Sequence, residues 1–279
     1  MRDSFVEQII HRMKPSLIIT AIHPKKSLGQ HFLTCEWALD AIVDAARLVP
    51  SDTVLEIGPG TGALTRALAS RVKKVIAVEK DELLAAALTQ EFAKKRIANV
   101  KIHEGDILKN IPPLPHGYKI VANIPYYLTA RLLRLFLEEE NKPVHIVLMI
   151  QKEVAERITS KPPHENLLAL SVQAFGTPSI IKTVPSTCFS PRPKIDSAII
   201  SISDISDTFF LQNQINPQNF FRIMRLAFSQ KRKMLSNSLS VLLDKPSLMQ
   251  IFTDLSLNPK IRPEELSLDQ WAQLILRLN

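Results

Sequence analysis

The chain has 279 residues, 46% of them hydrophobic, with a formal net charge of +8. This is enough for a sizeable core, in one large domain or a large one with a small companion, and the charge favours a polyanionic partner. Its two cysteines, Cys35 and Cys188, lie far apart and its seven histidines are scattered, which speaks against a zinc site or a disulfide framework and for a reducing compartment.

Residues 1–24 read as an N-terminal extension. Their apolar run from Leu17 to Ile22 is closed by His23-Pro24; it is too short to span a membrane and has no small-residue cleavage pattern. A cytoplasmic protein with no membrane partner is expected. Next comes Lys25-Lys26-Ser27-Leu28-Gly29-Gln30-His31-Phe32-Leu33, which on composition alone is an ordinary solvated basic arm. Trp37, Ile42, Ala45, Ala46 and Val49 recur at roughly helical spacing and predict a helix over 36–48.

Val54-Leu55-Glu56-Ile57 then runs into Gly58-Pro59-Gly60-Thr61-Gly62 and a helix-forming segment from Ala63, predicting strand, tight loop and helix. Glycines let backbone approach a ligand closely, and a helix start offers unpaired N–H groups. A dinucleotide fingerprint is not excluded by spacing, because Ala63 is tolerated at its third glycine position. A purely structural glycine turn is the bland alternative. Glu56 before the loop gives the acid-x-G-x-G-x-G pattern that resembles the first motif of S-adenosylmethionine (SAM) methyltransferases.

Val72 to Val78 predicts a second strand ending at Glu79, about 20 residues beyond Gly58, the spacing at which an acid accepts both hydroxyls of a bound ribose. A helix cap is the alternative role. Val100 to His103 predicts a third strand, followed by Gly105-Asp106; Asp106 could accept from an adenine amine or cap a turn. Alternating strands and helices indicate a parallel sheet covered on both faces, with ligands at the carboxyl ends of its strands.

The fourth strand, Tyr118 to Ala122, runs into Asn123-Ile124-Pro125-Tyr126-Tyr127. The N6 of adenine is a poor nucleophile because its lone pair is delocalised into the ring. The Asn123 side-chain oxygen and the carbonyl beside it can accept both N6 hydrogens and favour a pyramidal amine. Pro125 rigidifies the turn, and Tyr126 can stack on the base, worth roughly 1–3 kcal/mol. In isolation, a strand-ending turn with an aromatic plug explains the same residues; downstream of the loop and acids, the run resembles the N-P-P-Y-like motif of amino-methyltransferases. Further elements are expected over 128–140, 145–150, 151–158, 166–175 and 180–184. In the loop that follows, Phe189 could close the second face of the target base or act as a hydrophobic plug.

Together these segments resemble the ribosomal RNA adenine dimethyltransferase family. Matching pieces are Lys26 to Leu33, Glu56 to Leu64, Glu79-Lys80-Asp81, Gly105-Asp106, Asn123 to Tyr126, Gln151 to Val154 and Phe189 to Ser197, in family order. The resemblance implies a Rossmann-like class I SAM-dependent methyltransferase, α/β with a mainly parallel seven-stranded sheet, over 25–203, and a small all-helical RNA-binding domain over 204–279. It implies two methyl transfers to each of two adjacent adenosines near the 3′ end of small-subunit rRNA, during subunit biogenesis. SAM contacts would fall on His31, Leu33, Gly58, Glu79, Asp106 and Asn123, with Gly60 in the same loop; the catalytic set would be Asn123, Pro125, Tyr126 and Phe189, with no metal and an inert Cys188. His31 stands where many relatives have Asn, and Tyr127 likewise.

Towards the C-terminus, Phe221, Met224, Phe228, Leu235, Leu239 and Leu242 keep to one face of a projected helix, with Arg222, Arg225, Arg232 and Lys233 on an adjoining face. These four and Lys25 and Lys26 are the expected RNA contacts, on phosphates; a solvated face is the alternative. The expected partners are small-subunit rRNA and the assembling subunit, and the protein is expected to be a monomer. Competing expectations are a large-subunit rRNA adenine methyltransferase of the antibiotic-resistance kind, a non-catalytic RNA-binding assembly factor and, weakest, an NAD dehydrogenase.

Overall fold

The computed structural model describes residues 24–230 and 233–278. The expected extension over 1–24 thus falls, but for Pro24, outside the described residues, as do Arg232 and the Lys26 side chain. The elements run β1 (Phe32–Leu33), α1 (Glu36–Ala45), β2 (Thr53–Ile57), α2 (Ala63–Ala69), β3 (Lys74–Glu79), α3 (Glu82–Lys94), β4 (Val100–Glu104), β5 (Lys119–Asn123), α4 (Thr129–Glu138) and β6 (His145–Gln151). They continue with α5 (Lys152–Ile158), α6 (Leu167–Gln173), β7 (Thr177–Val184), β8 (Phe189–Ser190), β9 (Ser197–Ser203), α7 (Thr208–Gln212), α8 (Pro217–Ala227), α9 (Leu235–Leu239), α10 (Lys245–Asp254) and α11 (Leu268–Arg277).

Seven strands form one sheet in the order β4-β3-β2-β5-β6-β9-β7. Pairing is parallel from β4 to β6, and β9 runs antiparallel to β6. Val54, Leu55, Glu56 and Ile57 are all buried in succession, which is why β2 reads as a continuous run and not as an alternation: helices cover both faces. Residues Ala38, Ile42 and Val43 of α1 pack into the core with Leu64 and Leu68 of α2 and Val121 and Val147 of the sheet.

The chain divides into two compact units, Met1–Lys152 with Ser179–Ser203, and Glu153–Pro178 with Asp204–Asn279. The second takes in Glu153–Pro178, a stretch expected within the 25–203 portion. An aromatic cluster supplies the reason: Phe175 lies 5.0 Å from Phe210 and 5.9 Å from Phe221, ring centre to ring centre, and Phe210 and Phe220 meet edge to face. These rings bury the end of α6 with α7 and α8.

Two expectations are corrected here. The apolar face projected from Phe221 to Leu242 does not belong to one helix. α8 ends at Ala227, the Ser229 hydroxyl donates back to Leu226 O at 2.7 Å, and Met234 is extended ahead of α9. The side chain–backbone bond competes with continuation of the helix.

The cysteines are also not separate: Cys35 and Cys188 form a disulfide, with Cα atoms 5.1 Å apart and a sequence separation of 153. A small antiparallel ladder brings them together, pairing Phe32 with Ser190 and Leu33 with Phe189. Thr34 reinforces it, donating from its N–H and its hydroxyl to Cys188 O at 2.8 and 2.9 Å. Cysteine usage therefore no longer speaks for a reducing compartment. Closing so long a loop is worth roughly 5 kcal/mol at most on the chain-entropy account. Cys35→Ser, or thiol reduction of the native protein, is expected to lower Tm by on the order of 10 °C in a calorimetric scan.

Candidate cofactor and base site

The carboxyl ends of β2, β3 and β5 and the loop after β4 open into one cavity. Gly58, Gly60 and Gly62 all take positive φ, between 58° and 77°. That backbone strains any side chain, and at two of them a Cβ is crowded as well: one on Gly60 would lie 3.1 Å from the Phe32 ring, and one on Gly62 2.6 Å from the tip of Leu88. The loop's own amides are paired. Gly58 N–H donates to Val78 O at 2.9 Å, Gly62 N–H to Pro59 O at 2.8 Å, and Gly60 N–H to the Glu79 carboxylate at 3.0 Å. The loop therefore serves by close approach, and its amides fix its own shape.

Glu79 ends β3 with its carboxylate buried, one oxygen taking the Gly60 N–H and the other the Asp81 N–H at 2.9 Å. Burial raises its pKa. A carboxylate has about four acceptor sites, so two amides leave capacity for a pair of ribose hydroxyls. Asp106, beyond β4, accepts from Lys80 Nζ at 2.9 Å and from Leu108 N–H at 3.1 Å. The hydrogen bond from Lys80 holds its carboxyl below the usual carboxylate range.

Glu56, on β2, is 1% exposed with Oε2 unpartnered, and burial raises its pKa to about 8. An orphaned buried polar atom on a cavity wall, beside a loop whose glycines all take positive φ, is a site built to take a ligand with a complementary donor. The residues present therefore fit SAM: the glycine loop for close approach, Glu79 for ribose, Asp106 for adenine.

Residues 28–33 form the opposite wall. They are tied down by Asp81, the N-cap of α3, which is 1% exposed and accepts from Lys25 Nζ at 2.9 Å, Gln30 Nε2 at 3.3 Å and Leu83 N–H at 3.1 Å. Lys25, expected on RNA, is thus engaged in holding the arm. His31 meets Pro191 O at 2.7 Å through Nδ1; a carbonyl only accepts, so Nδ1 carries the proton and Nε2 is the acceptor. Its ring lies nearly parallel to Tyr126, centroids 5.9 Å apart. His31 and Leu33 both line the cavity.

The chemical motif enters from the far side. Asn123 closes β5, and its Nδ2 faces His31 O at 3.4 Å, which turns Oδ1 away and leaves it to accept. Asn123, Pro125 and Tyr126 line the same cavity as Gly58, Gly60, Glu79 and Asp106. Phe189 does not. It is 5% exposed and packs in the core with Leu33 and Cys188, so its ring is the hydrophobic plug and not a wall for the base. Pairing of Leu33 with Phe189 across the β1–β8 ladder holds it there.

In the second unit, Arg222 and Arg225 are exposed on α8 and Lys233 is exposed beyond it. Arg222 donates to Asn219 Oδ1 at 2.8 Å. Motif spacing does not single out Asp81 with Lys25 and Gln30, Ser197 with Tyr126, or Cys35 with Cys188, pairings that each span more than 50 residues.

A parallel sheet that delivers a glycine loop, a ribose-spaced acid and an Asn-x-Pro-Tyr turn to one cavity is the architecture of a class I SAM-dependent methyltransferase. The comparisons take it further. A family model described as ribosomal RNA adenine dimethylase matches residues 22–279, and the chain belongs to that family. Ribosomal RNA small subunit methyltransferase A of Dehalococcoides mccartyi (strain CBDB1) is 42% identical over 258 residues, covering 90% of this chain and 87% of the relative. The protein of that name from Rippkaea orientalis is 41% identical over 263 residues, covering 89% and 95%. Among solved structures, a dimethyladenosine transferase from Plasmodium falciparum aligns with a TM-score of 0.79 at 27% identity, over 88% of this chain and 96% of that one. The 23S rRNA methyltransferase ErmE aligns with a TM-score of 0.71 at 24% identity, over 88% and 99%, and shares the fold.

Two predictions follow from the buried carboxyls. Asp81→Ala removes a helix cap and the partner of Lys25 and Gln30; it is expected to cost about 2–4 kcal/mol in denaturant unfolding and to weaken SAM binding by calorimetry. Glu56 has a raised folded pKa, so between its unfolded value near 4.5 and about 8 the unfolded state binds fewer protons. Its contribution to stability is therefore lost as pH rises through that window, on the order of a few kcal/mol. Glu56→Gln should gain in Tm over the parent protein as pH rises from 5 to 8, measured by paired thermal melts.

Proposed function

We propose that the protein dimethylates N6 of two adjacent adenosines near the 3′ end of small-subunit rRNA, acting on the assembling small subunit. One observation carries this: Asn123, Pro125 and Tyr126 share a cavity with Gly58, Glu79 and Asp106, so amine-activating groups stand beside nucleoside-holding ones. Relatives at 41–42% identity over about nine-tenths of the chain bear a small-subunit name, which supports the substrate.

SAM, when bound, supplies an electrophilic methyl group. Glu79 would hold its ribose, Asp106 its adenine, and Gly58, Gly60, His31 and Leu33 the walls around it. The target adenosine is extruded from its RNA and lies on Tyr126. Asn123 Oδ1 and the carbonyl following Asn123 accept the N6 hydrogens, localising the nitrogen lone pair so that it attacks directly. No residue of the chain needs to form a covalent intermediate, and Cys188 is held in its disulfide. Arg222, Arg225 and Lys233 would meet phosphates, positioning the RNA without reading sequence. The protein would work as a monomer in the cytoplasm, where subunits assemble. The large-subunit alternative rests on likeness to ErmE at 24% identity, which reaches no further than the fold. An assembly factor without activity would not require the amine-accepting turn.

Labelled-methyl transfer from SAM to small subunits purified from a strain lacking the modification, followed by nucleoside chromatography, is expected to yield N6,N6-dimethyladenosine. Asn123→Ala should reduce transfer by at least about 10²-fold while SAM binding, by calorimetry, weakens only a few-fold. Labelling confined to large-subunit RNA would sink the proposal, and near-normal transfer by Asn123→Ala would sink its assigned role.

A further inference from the structure

The Tyr126 hydroxyl lies 2.7 Å from the Ser197 hydroxyl, a contact between residues 71 positions apart that the scheme above does not use. Ser197 opens β9 and is fully buried. It sits opposite Gln151 in the β6–β9 pairing. Its neighbour Asp196 is fixed twice over, the carboxylate accepting from Ser186 N–H at 2.9 Å and the carbonyl from Lys152 N–H at 3.0 Å. Ser197 is therefore part of a rigid frame.

Tyr126 is held at its other end as well. Thr129 Oγ1 donates to Tyr126 O at 3.0 Å, and Leu128 N–H donates to Pro125 O at 3.0 Å. A tyrosine ring has two side-chain torsions. With the main chain pinned by the turn and the phenol oxygen pinned to the sheet, the first torsion is set and with it the axis of the ring; only rotation about that axis, which leaves the oxygen in place, stays free.

We propose that Ser197 is a positioning residue for methyl transfer: by holding the Tyr126 hydroxyl it fixes the axis, and so the place, of the ring on which the target adenine rests. This rests on the role given to Tyr126 above. Stacking fixes the distance of a base from the ring and its tilt, while leaving sliding to the groups at its edge. A tilting ring therefore swings N6 away from Asn123 and from the line of the donor methyl. Misplacement by about 1 Å costs on the order of 10²-fold in rate. Binding of SAM involves neither hydroxyl.

The test compares Ser197→Ala, Tyr126→Phe and the double variant in the full-length protein, with two kinds of readout. In steady-state methylation of small subunits, each single variant is expected to lower kcat by about 10- to 100-fold, with KM for the subunit and SAM affinity within about twofold. The double variant should be no worse than Tyr126→Phe. The fraction of product stopped at the monomethyl stage should rise, because the second transfer needs the base to return to the same plane. Independently of activity, NMR of isotope-labelled protein follows the tyrosine side chain. With three tyrosines in the chain, the Tyr126 signal is assigned by its loss in Tyr126→Phe. Three-bond couplings from the backbone to its Cγ should report a single χ1 rotamer in the parent protein and rotamer averaging in Ser197→Ala.

An unchanged χ1 rotamer and kcat in Ser197→Ala would overturn the proposal. So would additive losses accompanied by an equal loss of SAM binding, which indicate a role in folding alone. Should Ser197→Ala not fold, Tyr126→Phe removes the same bond and decides by the same criteria. If the parent protein labels no RNA, it is the function that fails; the χ1 couplings then separately decide whether Ser197 fixes the ring.

Discussion

Everything at the cavity depends on the in-register parallel pairing of β2 with β3 on one side and β5 on the other. Ile57 stands opposite Val78, and Leu55 opposite Ile120, so the ends of three strands emerge side by side. Side chains alternate along a strand, and a slip of one residue would reverse every face. The register that buries Val54, Leu55, Val75 and Val121 is thus also the one that turns Glu56, Glu79 and Asn123 towards common ground. Core packing and site geometry are the same constraint seen from two ends of the strand.

The other half of the site is not sheet at all. Residues 28–33 have almost no regular structure, only a short turn and a two-residue strand, and would fray if left to themselves. They are held by side chains: Asp81 grips Lys25 and Gln30, His31 reaches Pro191, and Cys35 is bonded to Cys188. A carboxylate buried as fully as Asp81 is costly unless all its acceptor sites find donors, and here a helix amide, an ammonium and an amide side chain answer it. The wall is stable because each fastening also satisfies a polar group that the core needed satisfied.

What could be read from the sequence follows from how far each signal has to reach. The glycine loop, Glu79, Asp106 and the Asn123–Tyr126 turn each announce themselves within a few residues of a strand end, and alternating strands and helices place those ends together. Ser197 with Tyr126 and Cys35 with Cys188 are pairings across 71 and 153 residues, the second joined through strands of two residues that leave no periodic trace. Phe189 was ambiguous for the same reason: a two-residue strand does not say which side its ring takes. Lys25 counted as a free charge because composition cannot name its partner. Beyond Ala227 apolar spacing happened to continue the helical period, while a single serine hydroxyl bonded backwards and ended the helix.

The β1–β8 ladder gives the site an order of construction. The wall formed by residues 28–33 leaves the ribosome early, but Phe189 and Ser190, the strand it pairs with, are synthesised roughly 10–30 seconds later at ordinary elongation rates. Until then a nascent chain can assemble β2, β3, β4 and β5 around a groove whose near edge is held only by the grip of Asp81 on Lys25 and Gln30. The cavity closes only when the sheet is nearly complete. A partly made chain therefore has the strand ends of a nucleoside site but not the enclosure, and competence to hold cofactor arrives late in synthesis, in the same stretch of chain as Ser197.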